Sequence, residues 1–404
     1  MRKLTTILGV VTATLALSSC ATQEVADQDL TLKQIIEKYY TSRDFTLGAS
    51  SKDKYLTSDT ALLRIWKNEF QYNTPENDSK QVVVFPTPDS EWKDHNYMSY
   101  IKIARENGQV IRLHSPISPQ CSGYISDDER TGEEMIPMLM QFTERIYKDA
   151  EANSDVVKWI DVVNETLVGS EIKGTGYDGQ HDTDTVTYKV GDWFGPRAGS
   201  NQWENPWTKM GFESVTFEGE TFEIPRYIIM AFTQAQKYAP NVKFIYNQDG
   251  PVVDLGLWNK LYKTIRYLRS QGLRVDGVAY QCHVALGWEK DPTNLEKLQT
   301  IIEQAHENDL EFLISELDVI TDGEVEDYQG QARLDLREEQ AQTIGAVVEL
   351  ILQNVGKGVT SLNFWTMSDN RWIPGKTCSS LFEPDGTPHA AYHKVKELLL
   401  KYKE

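Results

Sequence analysis

A chain of 404 residues can hold two ordinary domains or one large barrel, and a hydrophobic content of 40% supports a sizeable core. With 41 Lys and Arg against 60 Asp and Glu the formal net charge is -19, which excludes the basic footprint that nucleic acid requires and disfavours strongly anionic polymers. A mostly neutral substrate fits better. Ten Trp and 19 Tyr offer flat faces that suit sugar rings, although ordinary core packing uses most such residues.

Residues 1–19 read as a signal peptide, with basic Met1-Arg2-Lys3 followed by an apolar run, Leu4 to Leu17, that is short for a membrane span. The run ends Leu17-Ser18-Ser19-Cys20, which resembles the lipobox of bacterial lipoproteins. That resemblance implies lipidation of Cys20, a tether over 20–30, and a lipid-anchored protein of the bacterial cell envelope, at the outer membrane or cell surface. The domain proper is expected over 31–404. Its Cys121, Cys282 and Cys378 are odd in number and lack CxxC spacing, so neither a disulfide framework nor a thiolate zinc site is expected.

From residue 31 onward helix-like and strand-like segments alternate. Helices are predicted over 31–40, 55–67, 92–106, 133–152, 225–238, 257–271, 294–308, 331–353 and 390–401. Strands are predicted over 45–49, 69–73, 110–114, 157–165, 242–247, 275–283, 311–319 and 360–365. Strands alternating with helices argue for a parallel sheet, and eight units favour an α/β fold of the (β/α)8 TIM barrel type. No Gly-rich phosphate loop follows any strand, which removes the main argument for a nucleotide. The exception to tight spacing is 169–222 after strand 4, an irregular insertion with Phe194-Gly195-Pro196-Arg197 and Trp193, Trp203 and Trp207. Loops of that length are usually functional or disordered, and this one must start on the face where strand 4 ends.

Polar side chains recur where these strands end: Glu76, Asn77 and Lys80; His114; Asn164 and Glu165; Asn247; Gln281 and His283; Glu316 and Asp318; Trp365 and Asp369. Barrels of this type place their active sites at that end. Glu165 and Glu316 each close an apolar run, and two such carboxyl groups are the minimum equipment for glycosidic bond cleavage. A catalytic metal is the competing use of these residues, but no His-Glu-x-x-His or close His pair is present. Neither a metal nor another cofactor is expected.

The segments Trp159-Ile160-Asp161-Val162-Val163-Asn164-Glu165 and Ile314-Ser315-Glu316-Leu317-Asp318 resemble the W-D-V-V-N-E and I-T-E-L-D motifs of glycoside hydrolase family 10, the endo-β-1,4-xylanases. The first carries one inserted Ile. Thr74-Pro75-Glu76-Asn77-Asp78-Ser79-Lys80 is similar to T-P-E-N-x-x-K, Gln281-Cys282-His283 to Q-x-H, and Phe364 to Asp369 with Trp372 to the family's closing segment. The resemblance implies retaining hydrolysis of internal β-1,4-xylosidic bonds by double displacement, with Glu316 as nucleophile and Glu165 as acid/base. It further implies that His283, backed by Asp318, holds Glu316 ionised, that Gln281 orients Glu165, and that Asn164 bonds the 2-hydroxyl of the reacting sugar. Glu76, Asn77, Lys80, His114 and Asn247 would line the cleft, roofed by Trp365 and Trp372. The expected partner is xylan or xylo-oligosaccharides, and the protein is expected to be a monomer.

The chain also departs from the family. W-H-S-Q is replaced by Leu113-His114-Ser115-Pro116, Gln120-Cys121 stands near a missing aromatic, and Gln248-Asp249 follows Asn247 where an acid and a Tyr are preferred. These changes fall in the binding cleft. They keep two alternatives open: a hydrolase of another β-linked glycan, or a non-catalytic surface glycan-binding lipoprotein.

Overall fold

Apolar strands without strict two-residue alternation are stable only where both faces are covered. The computed structural model provides that cover. It describes residues 26–52, 56, 58, 60–125, 130–170, 172–173, 187–195, 205–370 and 372–403, so the predicted signal peptide and Cys20 lie outside the described residues. Eight parallel strands pair in chain order: β1 (Thr46–Ser51), β2 (Tyr72–Pro75), β3 (Val110–Leu113), β4 (Val157–Asn164), β5 (Lys243–Gln248), β6 (Gly277–Tyr280), β7 (Glu311–Asp322) and β8 (Val359–Phe364). Pairing of β8 with β1 closes the ring, and helices cross outside between strands. This is the expected (β/α)8 TIM barrel. Among the described residues no helix is long and apolar enough to cross a membrane.

Inside the ring an apolar layer of Tyr72, Trp159, Ile245, Ala279 and Leu313 fills the end where the strands begin. Tyr72 and Trp159 pack with centroids 5.3 Å apart. The Tyr72 ring lies so close over β1 that a Cβ at Gly48 would approach it to 2.5 Å; glycine is required there by contact, not by turn geometry. Above this layer the interior turns polar. Arg112 of β3 donates to Asp161 of β4 at 2.6 Å, to the Ser315 carbonyl of β7 at 2.9 Å and to Thr74 Oγ1 of β2 at 3.2 Å. Arg112 and Asp161 are fully buried, and the plug ties four strands beneath the catalytic end.

β4 carries one extra residue in its pairing with each neighbour. Its register skips Lys158 against β3 and Val162 against β5; Ile160, the extra residue of the sequence motif, itself pairs with Leu113 and Phe244, and the bulges around it let Asn164 pair with Asn247. Past the barrel rim β7 continues to Asp322, flanked by His283–Ala285 on one side and Lys376–Ser379 on the other.

The insertion is less irregular than its composition suggests. Phe212–Phe217 and Glu220–Pro225 form an antiparallel hairpin that turns at Glu218 (φ 52°) and Gly219 (φ 81°). Its preceding turn, Pro206–Met210, buries Trp207 completely. Residues 187–195 return to the end of β4, where Val168 and Gly191 exchange backbone hydrogen bonds with Asp192 and Val168, and Leu167 bridges Trp193.

Candidate active site

A cavity of about 410 Å³ opens at the C-terminal end of the barrel. Its lining brings together Glu76, Asn77, Lys80, His114, Glu165, Gln281, His283, Glu316, Trp365 and Trp372, every cleft-lining residue expected from sequence except the three that stand behind it. Those three, Asn164, Asn247 and Asp318, are fully buried and hold the front row in place.

The carboxyl groups of Glu165 and Glu316 are joined by a relay of side-chain amides. Gln281 Nε2 donates to Glu165 Oε1 (2.7 Å) and to Asn164 Oδ1 (3.2 Å). Asn247 Nδ2 donates to the same Asn164 oxygen (2.8 Å) and to Glu316 Oε1 (2.8 Å), while Ser315 Oγ donates to Asn247 Oδ1 (2.7 Å). Asn164 Nδ2 is the one atom of this relay that is buried without a protein partner. Such a group costs free energy until something accepts its hydrogen bond.

Backbone geometry aims the pair. Glu165 follows the last residue of β4 with φ at 50°, and Cys282 has φ at 65°, which ends β6 and lets His283 begin a new short strand beside β7. Left-handed conformations in non-glycine residues are strained and concentrate where function requires them. The predicted strand 275–283 is therefore two pieces, with the break placed between Gln281 and His283.

The family model for Glycosyl hydrolase family 10 matches residues 35–194 and 213–398. The chain belongs to that family. It is 22% identical over 383 residues to endo-1,4-beta-xylanase B of Thermotoga neapolitana, covering 92% of each chain. In fold it is similar to xylanase 10B of Thermotoga petrophila RKU-1 solved with xylobiose (TM-score 0.72, 22% identity, 93% of this chain and 99% of that one). Native xylanase 10B of Thermotoga maritima is comparably similar (TM-score 0.70, 23% identity, 92% and 98%). The unmatched residues 195–212 fall within the insertion.

Neighbouring cations hold Glu316 of this family 10 site ionised. Burial opposes ionisation of Glu316, but His114, the His283 hydrogen bond and charge, and Arg112 outweigh it and hold the carboxyl down at about 2. His283 Nε2 lies 3.4 Å from Glu316 Oε2, and its Nδ1 lies 2.8 Å from Asp318 Oδ1. Burial disfavours the imidazolium, yet Asp318 and Glu316 raise it well above the ordinary histidine range. Trp372 Nε1 donates to Asp318 Oδ2 at 2.8 Å, so one carboxylate fixes both the histidine and the indole that walls the cleft. Glu165 receives no cation at hydrogen-bond distance among the described residues, only the neutral Gln281 amide.

A prediction follows for the positioning of Glu316. Replacing His283 with Gln removes a cation and leaves burial less opposed, so the Glu316 carboxyl rises. The acid limb of kcat/KM, which reports this ionisation in the free protein, is expected to move to higher pH. A lower kcat with an unmoved acid limb would show that His283 only positions the carboxylate.

Four further residues contribute: Lys52, which the sequence did not mark, and Gln120, Phe194 and Asp249, which stand out in it only as departures from the family or as part of the insertion. Lys52 pairs with Glu76 at 3.3 Å, Gln120 accepts from Lys80 Nζ at 2.5 Å, Phe194 of the insertion lines the wall beside Leu167, and Asp249 faces the cavity near Glu165. Burial pushes the Asp249 carboxyl up to about 6, with His283 pulling it down and Glu165 pushing it up. The insertion's tryptophans do not line the cavity where they are described: Trp193 donates to the Glu223 carbonyl, and Trp207 is core. Trp203 lies outside the described residues. In the wall Gly169 touches Gly250, and a Cβ on Gly169 would reach 3.0 Å from the Gly250 Cα. Cys121, Cys282 and Cys378 are all free.

Proposed function

We propose that the chain is a retaining endo-β-1,4-xylanase. The observation that carries this reading is the pair Glu165 and Glu316 on one cavity, joined through Gln281, Asn164 and Asn247, with cations around Glu316 and a neutral amide on Glu165. Glu316, kept ionised with both oxygens contacted, attacks the anomeric carbon while Glu165 gives its proton to the departing oxygen. A covalent glycosyl intermediate forms on Glu316. Glu165 then takes a proton from water as that water attacks, and the anomeric configuration is retained. Asn164 Nδ2, the one unpartnered amide of the relay, donates to the 2-hydroxyl of the sugar that reacts. Glu76, Asn77 and Lys80 hold the neighbouring sugar on the non-reducing side, and Trp365 and Trp372 close over it.

The xylan-type substrate is supported by the family and by the names of its relatives. Cleft residues that differ, Pro116 and Asp249 among them, favour a shifted preference within β-linked glycans as the second reading. The basic, apolar and Cys-terminated segment 1–20 supports lipid anchoring at Cys20 in the cell envelope, with 20–30 as tether.

Product analysis on linear and glucuronic-acid-bearing xylan tests the proposal. Short xylo-oligosaccharides with retained configuration are expected early in the reaction. A protein inert on every xylan yet able to bind it would be a glycan-binding module, and one that cleaves only other β-glycans would establish the second reading.

A further inference from the structure

The described chain enters the barrel at the end opposite the cleft. Asp27 accepts from Tyr39 Oη at 2.7 Å and from Lys38 Nζ at 3.0 Å, and it also pairs with Lys403 just past the last helix, Ala390–Lys401. Leu30 and Leu32 are buried, and the Leu32 amide donates to Glu69 in the turn before β2 at 2.9 Å. Helix Leu32–Tyr39 then lies across this basal end. Lys33 reaches the carbonyls of Lys67 and Asn107, which precede β2 and β3, and Tyr40 Oη donates to the Leu399 carbonyl at 2.7 Å. Of the tether expected over 20–30, residues 27–30 therefore belong to the body. Six chain steps separate Cys20 from Ala26, and fully extended they span only about 20 Å.

Charge is unevenly spread over the molecule. The chain carries -19 in total, yet in the basal turns 40–46, 67–72, 105–110 and 271–277 each cation meets one anion, and 354–359 and 401–403 hold Lys357, Lys401 and Lys403 with no acid in the segment. The turn 307–311 is the acidic exception. Arg43 directs its guanidinium to the carbonyls of Tyr39 and Tyr402, and Arg269 to those of Val275, Asn308 and Asp309, so backbone satisfies these donors and the charge stays. Most of the excess acid lies away from this end.

We propose that the barrel stands on an anionic bilayer surface with its basal end down and its cleft turned away from the membrane. The inference rests on the lipid-anchor reading of Cys20. A short tether leaving from the basal end keeps that end close to the headgroups. Anionic lipid repels the acidic remainder of the protein and attracts each basal Lys or Arg that comes within a Debye length of it. The two glutamates thereby stay open to a polymer arriving from solution.

Energy transfer from the full lipidated chain to the bilayer tests the orientation. Ser42 at the basal end and Asp89 in the loop after β2, at the cleft end, are both exposed. Ser42→Cys and Asp89→Cys, each made with Cys121→Ser because Cys282 and Cys378 are already fully buried, carry a donor dye. The acceptor is on lipid in vesicles that contain anionic lipid. Transfer from position 42 is expected to exceed that from position 89 about threefold or more. Equal transfer, or more from position 89, would overturn the proposal. Lys357→Glu with Lys401→Glu should narrow the contrast on anionic vesicles and leave it unchanged on neutral ones; no narrowing would overturn the part assigned to charge. Vesicle association of the unsubstituted chain and its loss in Cys20→Ala judge the anchor reading separately. Absent association refutes that reading and the orientation with it, whereas association without contrast refutes the orientation alone.

Discussion

Glu316→Gln is expected to lower kcat on xylan on the order of 10⁴-fold or more, about 5.5 kcal/mol of barrier, because it removes the attacking oxygen of the first step. The loss should not depend on the leaving group. Glu165→Gln should behave differently. General acid catalysis contributes roughly 10²–10⁴-fold, and that contribution matters least where the departing group is already acidic. Aryl xylobiosides with good phenol leaving groups should therefore retain formation of the covalent intermediate in Glu165→Gln while turnover slows at its hydrolysis. A burst of phenol followed by a slow phase is the expected trace. If both variants lost all substrates equally with no burst, the assignment of distinct roles would fail; if neither lost activity, the chemistry would lie elsewhere.

Arg112→Leu is the substitution with the largest expected effect on stability. It leaves the fully buried Asp161 carboxylate with only His114, whose Nδ1 lies 2.8 Å away, and removes one of two donors to the Ser315 carbonyl, the other being Asn363 Nδ2 at 2.7 Å. Breaking a buried pair by removing one partner costs about 3–5 kcal/mol, because the remaining charge stays desolvated. Urea unfolding should show a drop of that size with an unchanged m-value. The double substitution Arg112→Leu with Asp161→Leu should cost less than the single one if the uncompensated charge is the cause. A single-variant cost below about 1 kcal/mol would mean that water reaches Asp161. Since Ser315 precedes Glu316 and its hydroxyl bonds Asn247, activity should fall along with stability.

Much of the site is legible in the sequence because of where apolar runs stop. Glu165 and Glu316 each end a segment too apolar to expose, and in a parallel barrel all such ends face one way. The Arg112–Asp161 plug is not legible in that sense. Arg112 reads as one more residue of a short strand, and its partners lie 49 and 203 positions away in the chain. Only closure of the ring brings β3 and β7 near enough to share a guanidinium. The hairpin 212–225 carries the alternation and Glu-Gly turn of a β-ribbon, yet it is short and its strands are largely exposed, so its signal is weak beside the buried strands. Phe194 stands in a motif noticeable from composition, but periodicity does not say that the insertion turns back to β4. Strand boundaries drift for a related reason: the second helix runs to Glu69, and β2 begins only at Tyr72, where pairing with Gly48 sets its start.

The stitching of Leu167 and Val168 to Gly191, Asp192 and Trp193 brings two points of the chain together across some twenty intervening positions. The barrel therefore sees this excursion as a closed loop with fixed ends. Lengthening a closed loop is cheap, with each doubling adding only about 0.6 kcal/mol. A change of length in such a loop leaves the pairing of β4 with its neighbours unchanged, because the ends of the loop are held by one another.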